Sequence, residues 1–315
     1  MVSVRTTISR SAALLVVAAI GAVSIAGPAA AATAPGYDSI PSAYSADEAS
    51  LGFGVTGTAE LGQNLELTGT DRDLDSVSVG FTSWACEVGA WNNGCLSTPG
   101  SSFDLPVTLN VYASLPDSDV DGTLPGELLA TLTKTVAVPF RPAADPVDCD
   151  GEGEAGWFFD EGAGGCVPGV AFIETFDLLA LGVVLPDQVI VSVAFDSTVE
   201  PGHSDALNVS LRTDDPSVGS DPNPDNLFWN TTNASYYTDG GASGVGILRS
   251  DSDWGSTGLM LIEVTVTAPD PAVPAAPKLA ATGSDAASVA GIAALLLLLG
   301  AAVLTVSIRR RNATS

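Results

Sequence analysis

Val77-Ser78-Val79-Gly80-Phe81-Thr82 sets the fold class of this chain. Apolar and small or polar residues alternate at every step. A strand turns successive side chains to opposite faces, so Val77, Val79 and Phe81 share one face, and Ser78, Gly80 and Thr82 share the other. The expected result is a strand with one buried face and one solvated face.

The same period recurs along the chain. Val107, Leu109 and Val111 alternate with Thr108 and Asn110. Val189, Val191, Val193 and Phe195 alternate with Ile190, Ser192 and Ala194. Leu207, Val209 and Leu211 alternate with Asn208, Ser210 and Arg212, and Ile262, Val264 and Val266 with Glu263 and Thr265. Within Leu128 to Phe140, a strand would put Leu128, Leu132, Val136, Val138 and Phe140 on one face. No stretch between 33 and 270 keeps a helical period. About ten short strands parted by Gly, Asp, Asn and Pro turns predict an all-β, two-sheet sandwich of jelly-roll or Greek-key type.

The ends of the chain differ from its middle. Arg5 and Arg10 precede an apolar stretch from Ala12 to Gly27, and small residues follow from Ala29 to Ala32. This predicts a signal peptide over 1–32 and a mature chain beginning near Thr33. At the other end, Val289 to Ile308 is a run of 20 residues without a charge, followed by Arg309, Arg310 and Arg311. As a helix it spans roughly 30 Å, the thickness of a bilayer core. The arginines hold that end in the cytoplasm. Taken alone, the span reads as an ordinary membrane anchor.

Just before the span stands Leu279-Ala280-Ala281-Thr282-Gly283. With the span and the basic tail behind it, this pentapeptide resembles the LPxTG-like sorting signals of Gram-positive, actinobacterial cell-wall proteins. It matches the LAxTG variant associated with class E sortases, with Ala280 where proline is commoner. The resemblance implies that a sortase cysteine attacks the Thr282–Gly283 bond and passes the Thr282 carboxyl to a peptidoglycan amine. The expected domains are therefore a signal peptide at 1–32, an ectodomain at 33–268, a proline-rich spacer at 269–278, and a sorting signal with its helix at 279–315. The spacer is extended and semi-rigid at about 3.1 Å per residue.

Charge narrows the partners of the exported part. The chain holds 37 acids and 11 bases. Five arginines and Asp285 lie in the end segments, leaving 36 acids against 6 bases between Thr33 and Thr282. Such a surface repels nucleic acid and anionic membrane and attracts cations. Cys86, Cys95, Cys149 and Cys166 all fall in this part. Four cysteines allow three pairings. Cys86–Cys95 and Cys149–Cys166 are the expected links, because each closes one glycine-containing loop, and an exported location permits them.

Motifs that carry chemistry are few. Asp117-Ser118-Asp119-Val120-Asp121-Gly122 has the alternate-oxygen spacing of a calcium loop. An EF-hand would need its glutamate at 128, where Leu128 stands, so the reading is an acidic hairpin tip with Asp117, Asp119 and Asp121 as candidate calcium ligands. His203 is the lone histidine and sits in a turn sequence. A glycosidase needs two acids a few ångströms apart, and spacing selects no pair. Trp84, Trp91, Trp157, Trp229, Trp254, Tyr236 and Tyr237 are either core or a platform for sugar rings. The sequence thus predicts a non-enzymatic surface protein held at the cell wall, with no resident cofactor unless calcium. The alternatives are a carbohydrate- or matrix-binding module and a wall-held glycosidase.

Overall fold

The computed structural model describes residues 33–267, apart from 47, 152–155, 199–202, 204–205 and 256–257. The expected signal peptide, proline-rich spacer, sorting signal and membrane span lie outside the described residues. Among the described residues no helix is long and apolar enough to cross a membrane.

The strands run β1 (Thr33–Asp38), β2 (Ser50–Gly52), β3 (Thr58–Glu66), β4 (Asp73–Ser83), β5 (Val88–Ala90) and β6 (Asn93–Leu96). Next come β7 (Ser102–Ala113), β8 (Leu128–Pro139), β9 (Phe158–Asp160), β10 (Gly165–Val167), β11 (Val170–Asp177) and β12 (Gln188–Ala194). The last are β13 (Leu207–Arg212), β14 (Leu227–Thr231), β15 (Arg249–Asp251), β16 (Leu259–Met260) and β17 (Ile262–Thr267). One helical turn, α1 (Phe53–Thr56), follows β2. The described residues are almost all β, as the alternation predicts, and the ladders are antiparallel.

The first large sheet is built on β4. One edge of β4 pairs with β11 along Ser76 to Ser83. Its other edge is shared: β17 takes Asp73 to Val79, and β13 takes Phe81 to Ser83. β1 pairs with the far side of β17, while β2 and β16 both pair with β13. The second large sheet has the order β15-β14-β3-β12-β7-β8. Two small hairpins, β5–β6 and β9–β10, stand outside both.

A single hydrophobic cluster draws on both large sheets. Val77, Val79 and Phe81 meet Leu61, Leu109, Val111, Val191 and Val193 in it, each fully buried. Val107, Val189, Leu207, Val209, Leu211, Ile262, Val264 and Val266 belong to it as well. Burying a side chain of this size is worth about 1.5–3 kcal/mol, which makes this cluster the main stabilising term.

Three details depart from the sequence expectation. The second face of β4 is not simply solvated. Tyr44 covers part of it, and its hydroxyl donates to the Phe81 carbonyl at 2.6 Å and meets the Ser210 hydroxyl at 2.6 Å. Leu128 does not join the core but is 45% exposed, because a bulge opposite Val111 and Tyr112 loosens the start of β8. Lys134 occupies an inward position on the edge strand β8. Its amine ion-pairs with Glu174, donates to the Thr175 carbonyl at 2.6 Å and lies over the Phe176 ring, tying β8 to β11 of the other sheet. An inward charge of this kind also discourages edge-to-edge pairing with another chain.

Candidate functional site

A hollow of about 470 Å³ opens beside the β5–β6 hairpin, lined by Trp84, Trp91, Leu51, Val55, Asn208 and Ser50 among others. It assembles from four places in the sequence. Trp84 follows the end of β4, and its backbone N–H donates to the Ala206 carbonyl at 2.9 Å. Trp91 begins the turn Trp91-Asn92 between β5 and β6. The two indoles meet edge to face, with centroids 4.9 Å apart and planes at 77°. That geometry sets the positive edge of one ring against the negative face of the other.

The opposite wall is α1. Phe53 points inward and stacks on Phe195, centroids 4.1 Å apart. Two residues further on, Val55 is carried to the outside and is 81% exposed. Gly57 ends the turn in the left-handed region at φ 63°, and its N–H closes on the Phe53 carbonyl. A side chain at 57 would strain this backbone and would meet Thr232 Oγ1 at 2.8 Å. β13 supplies Asn208, whose amide donates to the Ser50 hydroxyl at 2.9 Å.

Two devices hold the Trp91 hairpin. The disulfide Cys86–Cys95 closes it, with Cα atoms 5.4 Å apart. Arg141, fully buried, donates to the Trp91 carbonyl at 3.3 Å and to the carbonyls of Pro142 and Gly156, and its guanidinium lies over the Phe158 ring. Burial pulls the Arg141 pKa down to about 10, so the group stays charged at neutral pH. The second link, Cys149–Cys166, ties the segment before β9 to β10 with Cα atoms 5.7 Å apart. Both pairings are those expected from loop closure, and among the described residues no cysteine is free.

The 117–121 segment is not a projecting tip. Ser118 is buried and takes a hydrogen bond from the Asn64 amide at 3.2 Å. Gly122 donates to the Ser250 carbonyl at 3.0 Å, and Ser250 donates back to Thr123 at 2.8 Å, which lays the segment along β15. Asp117 adopts the left-handed region at φ 64°, which aspartate tolerates in turns. The Asp119 carbonyl is taken by the amides of Asn223 and Asn226. The Asp121 carboxylate accepts from the Ser252 hydroxyl at 2.8 Å. Among the described residues no three His, Cys, Asp or Glu side chains gather as a metal site.

Trp229, Trp254 and Tyr237 pack together elsewhere. Trp229 packs against Trp254 at 4.8 Å and Tyr237 at 5.7 Å, and its indole N–H donates to Thr58. His203 sits in a turn and contacts Phe103 and Phe140 at 5.5 and 4.9 Å. The five described bases are all engaged. Arg72 pairs with Asp187, Arg212 with Asp214, and Arg249 with Asp239, each within 2.7 Å. Lys134 and Arg141 are held as above.

Of the residues singled out from sequence, the structure joins Trp84 with Trp91 and pairs the four cysteines. Val55, Ser50 and Asn208 are among the members of the hollow that sequence reasoning missed. Only the out-of-phase apolar Val55 beside Gly54 could have hinted at one of them. Comparison with family descriptions, curated proteins and solved structures finds no match to this chain.

Proposed function

We propose that this chain is an exported surface protein, joined covalently to cell-wall peptidoglycan through Thr282 by a class E sortase. Before sorting, its C-terminal helix holds the precursor in the membrane. The displayed part is a non-catalytic domain whose two large sheets form a β-sandwich of jelly-roll or Greek-key type. The order of pentapeptide, apolar span and arginine tail at the C-terminus carries this reading. The two disulfides support it, because such links persist in oxidising, extracytoplasmic surroundings.

Replacement of Thr282 tests it directly. Sortase chemistry breaks Thr282–Gly283, so Thr282→Ala should shift the protein from the wall fraction to the membrane fraction. Release of the variant only by wall-digesting enzymes, as for the wild type, would refute covalent sorting.

A further inference from the structure

We propose that the hollow between Trp91 and α1 binds a neutral sugar ring of an oligosaccharide. The proposal extends the reading of a displayed domain and rests on that reading for its setting alone. Three observations carry it: the walls, the polar groups and the missing charge.

The walls are aromatic and pre-set. Trp84 and Trp91 stand edge to face. Trp84 is backed by Gly169, where a Cβ would lie 2.7 Å from its Cδ1. Trp91 is fixed by Cys86–Cys95 and by Arg141. Val55 adds an exposed apolar wall opposite. The C–H face of a pyranose is flat and weakly apolar, and it packs on rings held in this way with little ordering cost. The volume of about 470 Å³ falls within the roughly 300–1,000 Å³ common for small-ligand sites.

The polar groups suit hydroxyls. Ser50 accepts from Asn208 and keeps its own proton to donate. Among the described residues no group donates to Asn208 Oδ1. One acceptor and one donor thus sit side by side, the pattern a sugar hydroxyl answers because it both donates and accepts. A purely apolar ligand would leave both unmatched.

The missing charge excludes the other classes. The chain carries a net charge of −26, yet none of the residues lining this hollow is acidic or basic. An anion would find no cation there and a repelling surface around it. A cation would bind the acidic surface elsewhere in preference. The larger hollow of about 510 Å³ beside Asp196 has no such pair of rings, and its Phe195 is buried against Phe53.

Full-length chain in lauryldimethylamine oxide, a detergent without a sugar headgroup, is titrated with maltohexaose, cellohexaose and xylohexaose. Neutral polysaccharide released from Gram-positive walls forms a second arm, which distinguishes a wall ligand from an outside one. Tryptophan emission and calorimetry read the binding. A saturable response to a neutral glycan is expected in at least one arm. Trp91→Ala should weaken it at least tenfold, Trp91→Phe by less, and Val55→Asp at least fivefold, with melting temperatures near wild type. Thr282→Ala should bind as the wild type does, so a failure of sorting and a failure of binding are read separately. The proposal is overturned if neither arm responds, if Trp91→Ala and Val55→Asp bind unchanged, or if 2-naphthol or polygalacturonate binds more tightly than every neutral glycan.

Discussion

Gln63 of β3 accepts the backbone N–H of Met260 of β16 at 2.6 Å, which joins the two large sheets through a fully buried amide. The other end of that amide donates to the Asp221 carboxylate at 2.7 Å. The apolar core therefore contains one polar bolt, and its outer end is titratable.

Burial raises the Asp221 pKa from 3.8 to about 6, against the hydrogen bonds from Asn223 and Gln63 that favour its charged form. Between those two pH values the folded chain holds a proton that the unfolded chain has released. The contribution of Asp221 to stability is therefore greatest below about pH 4 and is lost as pH rises through 6. Its full swing is on the order of 1–3 kcal/mol. Subtracting the stability curve of Asp221→Asn from that of the wild type should show this fall between pH 4 and 6. A flat difference would exclude Asp221 as the titrating group.

Arg249 is a second buried polar centre. It pairs with Asp239 at 2.7 Å, stands 3.9 Å from Asp251 and lies 3.8 Å from the Tyr237 ring centroid. Asp251 is only 1% exposed, so loss of the guanidinium leaves a charge with no outlet. Arg249→Met should cost about 3–5 kcal/mol in urea unfolding. Asp251→Asn added to it should recover part of that loss.

The two disulfides should differ in what they protect. Cys149–Cys166 spans 17 residues and closes a segment that packs on its own small cluster of Ala46, Phe158 and Val167. Closure of such a loop is worth about 3 kcal/mol in the chain-entropy model. Reduction should therefore speed hydrogen exchange at 156–169 well before it touches β4 or β12. Exchange that accelerates equally in all of these would contradict a separate core.

At 117–121 two of the candidate calcium ligands already have other partners. Asp119 already offers its carbonyl to two asparagines, and Asp121 is bonded to Ser252. At roughly 1 mM calcium, a level at which weak extracellular sites fill, melting should shift equally in the wild type and in Asp121→Ala. A shift abolished by that substitution would restore the calcium reading of the segment.

Much of this architecture was legible because the core strands obey period two, a signal carried by neighbours in sequence. Val77 to Thr82, Val107 to Val111 and Ile262 to Val266 were readable for that reason. The cysteine pairs were legible too, since short loops close most readily on themselves. What escaped depends on distant partners. Nothing near Tyr44 announces that it caps Phe81 and Ser210, and Gln63 reads as one more polar residue until Met260 stands opposite. The candidate site followed the same rule. Trp84 and Trp91 were conspicuous singly, but Asn208 comes beside Trp84 through the pairing of β13 with β4, and Val55 through the pairing of β2 with β13. The regular spacing of the aspartates at 117–121 likewise said nothing of the asparagines that take the Asp119 carbonyl or of Ser252 beside Asp121.

β17 lies between β1 and β4, and its last residue, Thr267, pairs with Thr33 of β1. A pull directed along β17 from beyond Thr267 meets hydrogen bonds that stand at right angles to it on both sides. Those bonds must fail together in shear, since no free edge lets them open one at a time. The strand nearest the proposed tether is thus a mechanical clamp, and tension on the spacer should meet its greatest resistance at the point where the domain begins.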